Sequence, residues 1–360
     1  MKRLFLVLCA MCAACALVAC SGAGGAAGSA DAMASVESSA ATASSAAAET
    51  SAPNSTEEAT STSMDASANA SAKIASEATS SSASAGAASA SSSAEAASPA
   101  TYALMGFSEV DGRQGVAAEG NLRWVSGSTT LSRYDADWNL QATNDDPFST
   151  GYELEVNHIG DIDVYQGEVY CGVELFVDGV AKNIQIAVYD GETLELSRTF
   201  NFEPESGQDE CAGIAVNPDE GTVEMCAWTD SGKYLYRYDL KTGAYLGKVE
   251  LVPAPKWQQG VAYHDGFYYL TADDGDADKD APDHLYRVKI PQGAESVEVV
   301  EEYALDDVTK QGEIEGLTFT DQGQLLVVYN RGAKIIEGMP SGFYDGYDHE
   351  IHEVFTYDIS

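Results

Sequence analysis

The stretch Glu313-Ile314-Glu315-Gly316-Leu317-Thr318-Phe319-Thr320-Asp321-Gln322-Gly323-Gln324-Leu325-Leu326-Val327-Val328-Tyr329-Asn330 decides the fold. It runs from a small residue through a short apolar strand and a turn carrying Gly into a second strand, the pattern of a β-hairpin. The design recurs from Gln114-Gly115-Val116-Ala117, Asp161-Ile162-Asp163-Val164, Gly213-Ile214-Ala215-Val216 and Gln259-Gly260-Val261-Ala262. Aligned on Gly115, Asp161, Gly213, Gly260 and Gly316, the copies stand 46, 52, 47 and 56 residues apart. A period near ~50 residues points to propeller blades.

Strand signals around these hairpins fall into sets of four, over residues 114–143, 161–200, 213–251 and 260–304. The last set, 316–358, holds three strands and a long insertion from Gly332 to Glu350. The segment Tyr102-Ala103-Leu104-Met105-Gly106-Phe107-Ser108 has no partner of its own and is predicted to supply the missing outer strand. Zipping the two ends together this way removes open sheet edges. The predicted fold over 101–360 is therefore an all-β, five-bladed β-propeller, four strands per blade, with the N-terminal strand closing the last blade. Third strands share a Tyr-Asp ending, at Tyr134-Asp135, Tyr189-Asp190, Tyr238-Asp239 and Tyr357-Asp358. These read as structural residues of the outer hairpins.

The first hundred residues are of a different kind. Residues 1–20 combine a basic start at Lys2 and Arg3 with an apolar run too short to span a bilayer, the form of a secretory signal peptide. Its ending, Leu17-Val18-Ala19-Cys20, resembles the lipobox of bacterial lipoproteins, which implies that Cys20 is the lipidated first residue of the mature protein. More than one acyl chain anchors stably, so an extracytoplasmic, membrane-anchored protein is expected. Residues 21–100 are almost all Ala, Ser, Thr and scattered Glu, a disordered tether by composition, because such a chain buries too little apolar surface to offset its ordering entropy. As a flexible coil it would reach roughly 50 Å.

After residue 100 stand 49 of the 57 acidic residues and 16 of the 19 basic ones, a balance of −33. Such a charge repels nucleic acid. The expected partners are the membrane, through Cys20, and a sugar, peptide or protein ligand; the chain is expected to be a monomer.

In a propeller, residues at the start of each inner strand meet those at the end of the second strand on one face. That places Arg113, Gln114, His158, Glu210, Trp257, Gln259, Glu313 and Glu315 beside Glu174, Trp228, Asp273, Asn330 and Arg331 around one mouth of the central channel. The candidate ligand-binding residues are His158, Glu174, Glu210, Trp228, Trp257, Gln259, Asp273, Asn330 and Arg331. Glu315, Glu313 and Asp161 are candidate ligands for Ca2+, which takes six to eight oxygens in flexible geometry. An internal salt-bridge network with Arg331 neutralising a Glu is the competing reading. The loop Asp273-Asp274-Gly275-Asp276-Ala277-Asp278-Lys279-Asp280 is a second acidic segment, without the Gly or terminal Glu register of an EF-hand. The insertion, with Phe343-Tyr344-Asp345-Gly346-Tyr347-Asp348-His349, is placed to cap a ligand. Cys171, Cys211 and Cys226 are odd in number and lie in or beside apolar strands, so no bridge is assigned.

Glu315-Gly316-Leu317 resembles the inner-strand signature of the gluconolactonase and arylesterase propellers and of the esterase-like phytase domains. That resemblance implies a metal ligand at Glu315. Gln259-Gly260-Val261-Ala262-Tyr263-His264-Asp265-Gly266-Phe267-Tyr268-Tyr269 with Leu285-Tyr286-Arg287-Val288 is similar to a repeat of the five-bladed glutaminyl cyclotransferase propellers. Two functions stay open: a ligand- or protein-binding module, and a metal-dependent hydrolase of lactones, esters or phosphoesters using Glu315 and its neighbours. No nucleophile elbow, zinc-protease helix or phosphate loop is present.

Overall fold

Alternating apolar residues between tight turns build twenty-two strands among the described residues, with no helix beyond single 3-10 turns. The structure is a computed structural model describing residues 100–360 apart from 178–179, 229, 309 and 337–338. The signal segment 1–20 with Cys20, and all but the last residue of the 21–100 tether, lie outside the described residues.

Strands β1 (Tyr102–Glu109), β2 (Gly115–Glu119), β3 (Leu122–Gly127), β4 (Thr130–Asp135) and β5 (Leu140–Asn144) come first. Next are β6 (His158–Tyr165), β7 (Glu168–Val177), β8 (Val180–Asp190) and β9 (Leu196–Asn201). Then follow β10 (Gly213–Asn217), β11 (Thr222–Cys226), β12 (Tyr234–Asp239) and β13 (Tyr245–Val252). After them run β14 (Gln258–His264), β15 (Phe267–Ala272), β16 (His284–Val288) and β17 (Ser296–Ala304). The last are β18 (Gln311–Phe319), β19 (Leu325–Arg331), β20 (Ala333–Ile336), β21 (Met339–Phe343) and β22 (Ile351–Ile359).

Strands β2 to β5 and β6 to β9 form separate antiparallel meanders, and β20 pairs with β21 inside the insertion. The closing sheet has the order β1-β22-β19-β18, with Tyr102 opposite Ile359 and Glu109 opposite Glu353. The first strand of the folded part thus completes the last sheet, as its unpartnered sequence predicts.

One feature departs from the sequence expectation. The meanders β10 to β13 and β14 to β17 are joined through their outer strands into an eight-stranded sheet, because β13 and β17 pair in parallel with Leu251 opposite Val297. Both side chains are buried, so two sets of strands expected as separate four-stranded blades share one covered seam.

Inner strands are packed on both faces, and every residue of β10 is buried; the outer strand β1 alternates half-buried with exposed. The inner strands touch in cyclic order, β2 with β6, β6 with β10, β10 with β14, β14 with β18, and β18 with β2. Apolar clusters lie between successive sheets. Trp124 and Leu131 pack against Ile162 and Tyr189, while Val116 and Val125 pack against Leu326 and Val354 from the end of the chain. Trp124 is 1% exposed and its indole N–H donates to Gly191 O at 2.9 Å, tying the first sheet to the second. The chain is an all-β, propeller-like fold.

Three of the four Tyr-Asp endings, at Asp135, Asp190 and Asp239, have one physical cause; the fourth, Asp358, stands inside β22 opposite Ala103. Asp190 Oδ1 accepts from the backbone N of Glu192 and Thr193 at 3.0 and 2.7 Å, and Asp239 Oδ1 does the same for Lys241 and Thr242 at 3.2 and 2.8 Å. The Thr242 hydroxyl with these amides at Asp239, and the Thr193 amide with its hydroxyl at Asp190, hold both carboxyls below the usual range, while the preceding Tyr189 and Tyr238 are fully buried. Each Asp is an Asx turn that sets the outer hairpin.

Candidate functional site

Gly115, Asp161, Gly213, Gly260 and Gly316 occupy the inner strands, and three of the glycines, Gly115, Gly260 and Gly316, leave a space that one aspartate fills. A Cβ on Gly115, Gly260 or Gly316 would stand 2.5, 2.9 or 1.9 Å from an Asp161 carboxylate oxygen. Asp161 is 1% exposed; Oδ1 accepts from Ile162 N at 2.8 Å and Oδ2 from Val261 N at 3.3 Å. Burial pushes its carboxyl well up, against these amides. The residue plugs the axis.

The ladders are interrupted at the residues that face inward. Register slips between Ile159 and Ile162, between Gln258 and Gly260, and between Ile314 and Leu317, which frees Asp161, Gln259 and Glu315 from cross-strand pairing. Such bulges re-aim side chains. The freed backbone bonds around the ring instead: Asp161 N donates to Ala212 O at 2.9 Å and Gly316 N to Gln114 O at 2.8 Å.

Above the plug lies a continuous polar network. His158 Nε2 meets Gln114 Oε1 at 2.7 Å, Gln114 Nε2 donates to Glu315 Oε1 at 3.1 Å, and Asn330 Nδ2 donates to the same oxygen at 2.7 Å. Gln259 Nε2 donates to Glu313 Oε1 at 2.8 Å. Arg113 Nη2 donates to Glu313 Oε2 at 3.1 Å and lies 3.4 Å from Glu350 and 3.8 Å from Glu315. Burial opposes the Arg113 charge, but Glu315 and Glu313 outweigh it and hold the guanidinium protonated. Glu315 is pushed well up by burial and then by Glu313; Glu313 is raised by burial, with Arg113 pulling the other way.

The structure brings His158, Gln259, Glu313, Glu315 and Asn330 together in this network. Glu174 joins it, with Oε1 3.5 Å from His158 Nδ1 and Oε2 accepting from Cys211 N at 3.0 Å. The histidine faces Glu174 and Gln114, and Asp161 lies on the axis. Glu210 Oε2 accepts from Trp228 N at 2.7 Å, and the Trp228 and Trp257 rings stack with centroids 6.3 Å apart. Arg331 is the exception. Its guanidinium forks onto Glu353, Nη2 to Oε1 at 2.7 Å, and lies over the Phe107 and Phe355 rings, so the neutralising role sequence gave it belongs to Arg113. Arg331 is on β19 opposite Ile351, facing the outer strands.

Glu313, Glu315 and Asp161 do not fit a calcium ion as they stand. Their oxygens face a guanidinium, side-chain amides and backbone N–H groups, whereas a hard cation needs lone pairs converging on one point. Among the described residues no group of three or more His, Cys, Asp or Glu has metal-holding geometry. The acidic loop is likewise engaged: Lys279 pairs with Asp276, and Lys334 Nζ lies 3.3 Å from Asp278 Oδ1.

That loop and the insertion meet to enclose a cavity of about 300 Å3. Trp257, Asp273, Asp276, Asp278, Asp283 and Tyr344 line it, along with Lys334 and Ile335 of β20. Trp257 is 38% exposed and has φ of +54°, a left-handed conformation that only surrounding structure maintains. Burial, then Asp283 and Glu313, push the Asp273 carboxyl up. Asp283 carries no sequence signal, and Lys334 and Tyr344 were legible only as members of a long insertion. Glu350 reaches Arg113 from the end of that insertion in the same way.

No family model matches this chain, and no curated protein matches it. Among solved structures, a gluconolactonase from Xanthomonas campestris is 12% identical over 68% of this chain and 72% of its own, with a TM-score of 0.41. A protein of unknown function from Bacteroides thetaiotaomicron is 13% identical over 72% of each chain, with a TM-score of 0.41. The Kuenenia stuttgartiensis hydrazine synthase is 11% identical over 70% of this chain and 67% of that one, with a TM-score of 0.39. Likenesses at this level carry no argument about function.

Proposed function

We propose that the chain is a lipid-anchored, extracytoplasmic binding module: a five-bladed β-propeller, held off a membrane by Cys20 and the Ala/Ser-rich tether, that takes a ligand at one mouth of its ring. The blade count rests on the cyclic contacts of β2, β6, β10, β14 and β18, each opening an antiparallel meander. The observation that carries the binding function is the cavity beside Trp257, built where the acidic loop and the insertion meet. Long insertions that wall a cavity, with an aromatic held in a strained conformation at its rim, suit ligand capture.

The hydrolase reading has less support. It needs Glu315 to bind a metal, and Gln114 and Asn330 donate to that carboxyl while Arg113 faces it.

The test is a screen of the full chain against neutral oligosaccharides, basic peptides and amines, followed by intrinsic tryptophan emission. A ligand that shifts emission in the wild type and loses affinity in Trp257→Ala supports the module. Calcium-dependent lactone or ester hydrolysis abolished in Glu315→Gln, with no ligand found, would overturn it.

A further inference from the structure

We infer that the cavity beside Trp257 binds an organic cation, a primary ammonium group on a free amine or a lysine side chain. The inference rests on the binding-module reading and assigns its ligand class.

Aromatic and acidic walls face the same space. Trp257 and Tyr344 line it with aromatic side chains, and Asp273 and Asp283 with acidic ones. Asp283 Oδ1 accepts from Gly275 N at 2.9 Å, which holds the loop in place. The Asp273 carboxylate has no hydrogen-bond or ion-pair partner among the described residues, although it is half-buried. Burial, Asp283 and Glu313 push this carboxyl up, so a cation brought beside it supplies the opposite charge that lets it ionise.

The molecule already shows what the walls recognise. Lys334 Nζ stands 4.8 Å from the centroid of the Tyr344 ring and 3.3 Å from Asp278 Oδ1, an ammonium held by an aromatic face and a carboxylate together. Lys310 Nζ lies 4.9 Å from the same ring. Cation–π attraction and ion pairing are the two interactions a bound amine would repeat between Trp257 and Asp273. A volume of 300 Å3 takes an extended aliphatic amine. The −33 balance of residues 101–360 draws cations to the protein and repels anions.

Titration calorimetry of the full chain with cadaverine, with a lysine-containing peptide and with maltose tests this. The expected result is one-to-one amine binding that weakens with salt, and falls about tenfold or more in both Asp273→Asn and Trp257→Ala. Lys334→Met should tighten amine binding, because it removes a competing ammonium; a merely structural lysine would not do so. Comparison of cadaverine with the peptide separates a free amine from a lysine side chain as the source. Amine binding that is absent, or unchanged in both Asp273→Asn and Trp257→Ala, overturns the proposal. Maltose binding lost in Trp257→Ala without amine binding would overturn the cation and leave the module standing. No binding of any probe, with Trp257→Ala inert, would bring down both.

Discussion

Asp161 Oδ1 lies 1.9 Å from where a Cβ on Gly316 would stand, so the closing sheet meets the second sheet at an aspartate that leaves no room for a methyl group. The same Cβ would also approach Gly115 Cα to 2.8 Å. A buried, hydrogen-bonded carboxyl on one side and the Gly115 backbone on the other prevent easy relief. Gly316→Ala should therefore destabilise by at least about 1–3 kcal/mol, read as a lower urea midpoint. A neutral result would mean that the inner strands have slack at the axis.

Glu315 is the acceptor that joins the closing sheet to the first one, through Asn330 on its own sheet and through Gln114 and Arg113 just before β2. Glu315→Ala would strand the buried amides of Gln114 and Asn330, at a cost of roughly 1–3 kcal/mol each. Glu315→Gln keeps an oxygen in place and should cost well under half of that. Chemical denaturation of the two variants separates them; equal losses would show that the network matters only for packing.

Stability should fall as pH rises from about 4 to 7. Burial pushes Glu224 up to about 7 in spite of Arg237, and Asp161 and Glu315 are raised further still. In the unfolded chain such groups titrate near ~4. Across that window the native state holds more protons than the unfolded one, which gives stability a negative slope with pH. Thermal midpoints measured at pH 5 and pH 8 check the sign, and Glu224→Gln should flatten the slope by up to roughly 3 kcal/mol. A midpoint that climbs with pH would contradict it.

Removing Tyr102–Glu109 should abolish cooperative unfolding. The strand covers β22 along its whole ladder, and Tyr102 stacks on Tyr303 with centroids 4.7 Å apart while its hydroxyl donates to Glu302 at 3.2 Å. Its loss exposes an unpaired edge and invites aggregation. Light scattering and calorimetry of the truncated chain would show this; an intact sharp transition would mean the last sheet stands on three strands.

Much of the fold was legible because the repeat is local. Each hairpin announces itself within about 20 residues, through apolar alternation and Gly-bearing turns, and the Tyr-Asp endings mark the outer turns. The seam between β13 and β17 was not legible, since Leu251 and Val297 pair only after two separate meanders have formed. At the mouth, sequence listed both Arg113 and Arg331 and offered Arg331 as the neutralising charge, whereas the guanidinium beside Glu313 and Glu315 is that of Arg113. Arg331 and Asn330 are adjacent on a strand and point to opposite faces; one joins Glu315 and the other Glu353.

The sequence by itself determined the repeating hairpins, their spacing and the need to join the ends, because periodicity and turn chemistry act over short stretches of chain. Only the tertiary structure decided that Asp161 fills the axis, that Arg113 sits among three carboxyls, and that Asp283, Lys334 and Tyr344 share a cavity with Trp257. Those relations join residues far apart in the chain. They depend on bulges and ring closure that set side-chain direction to within a single residue's register.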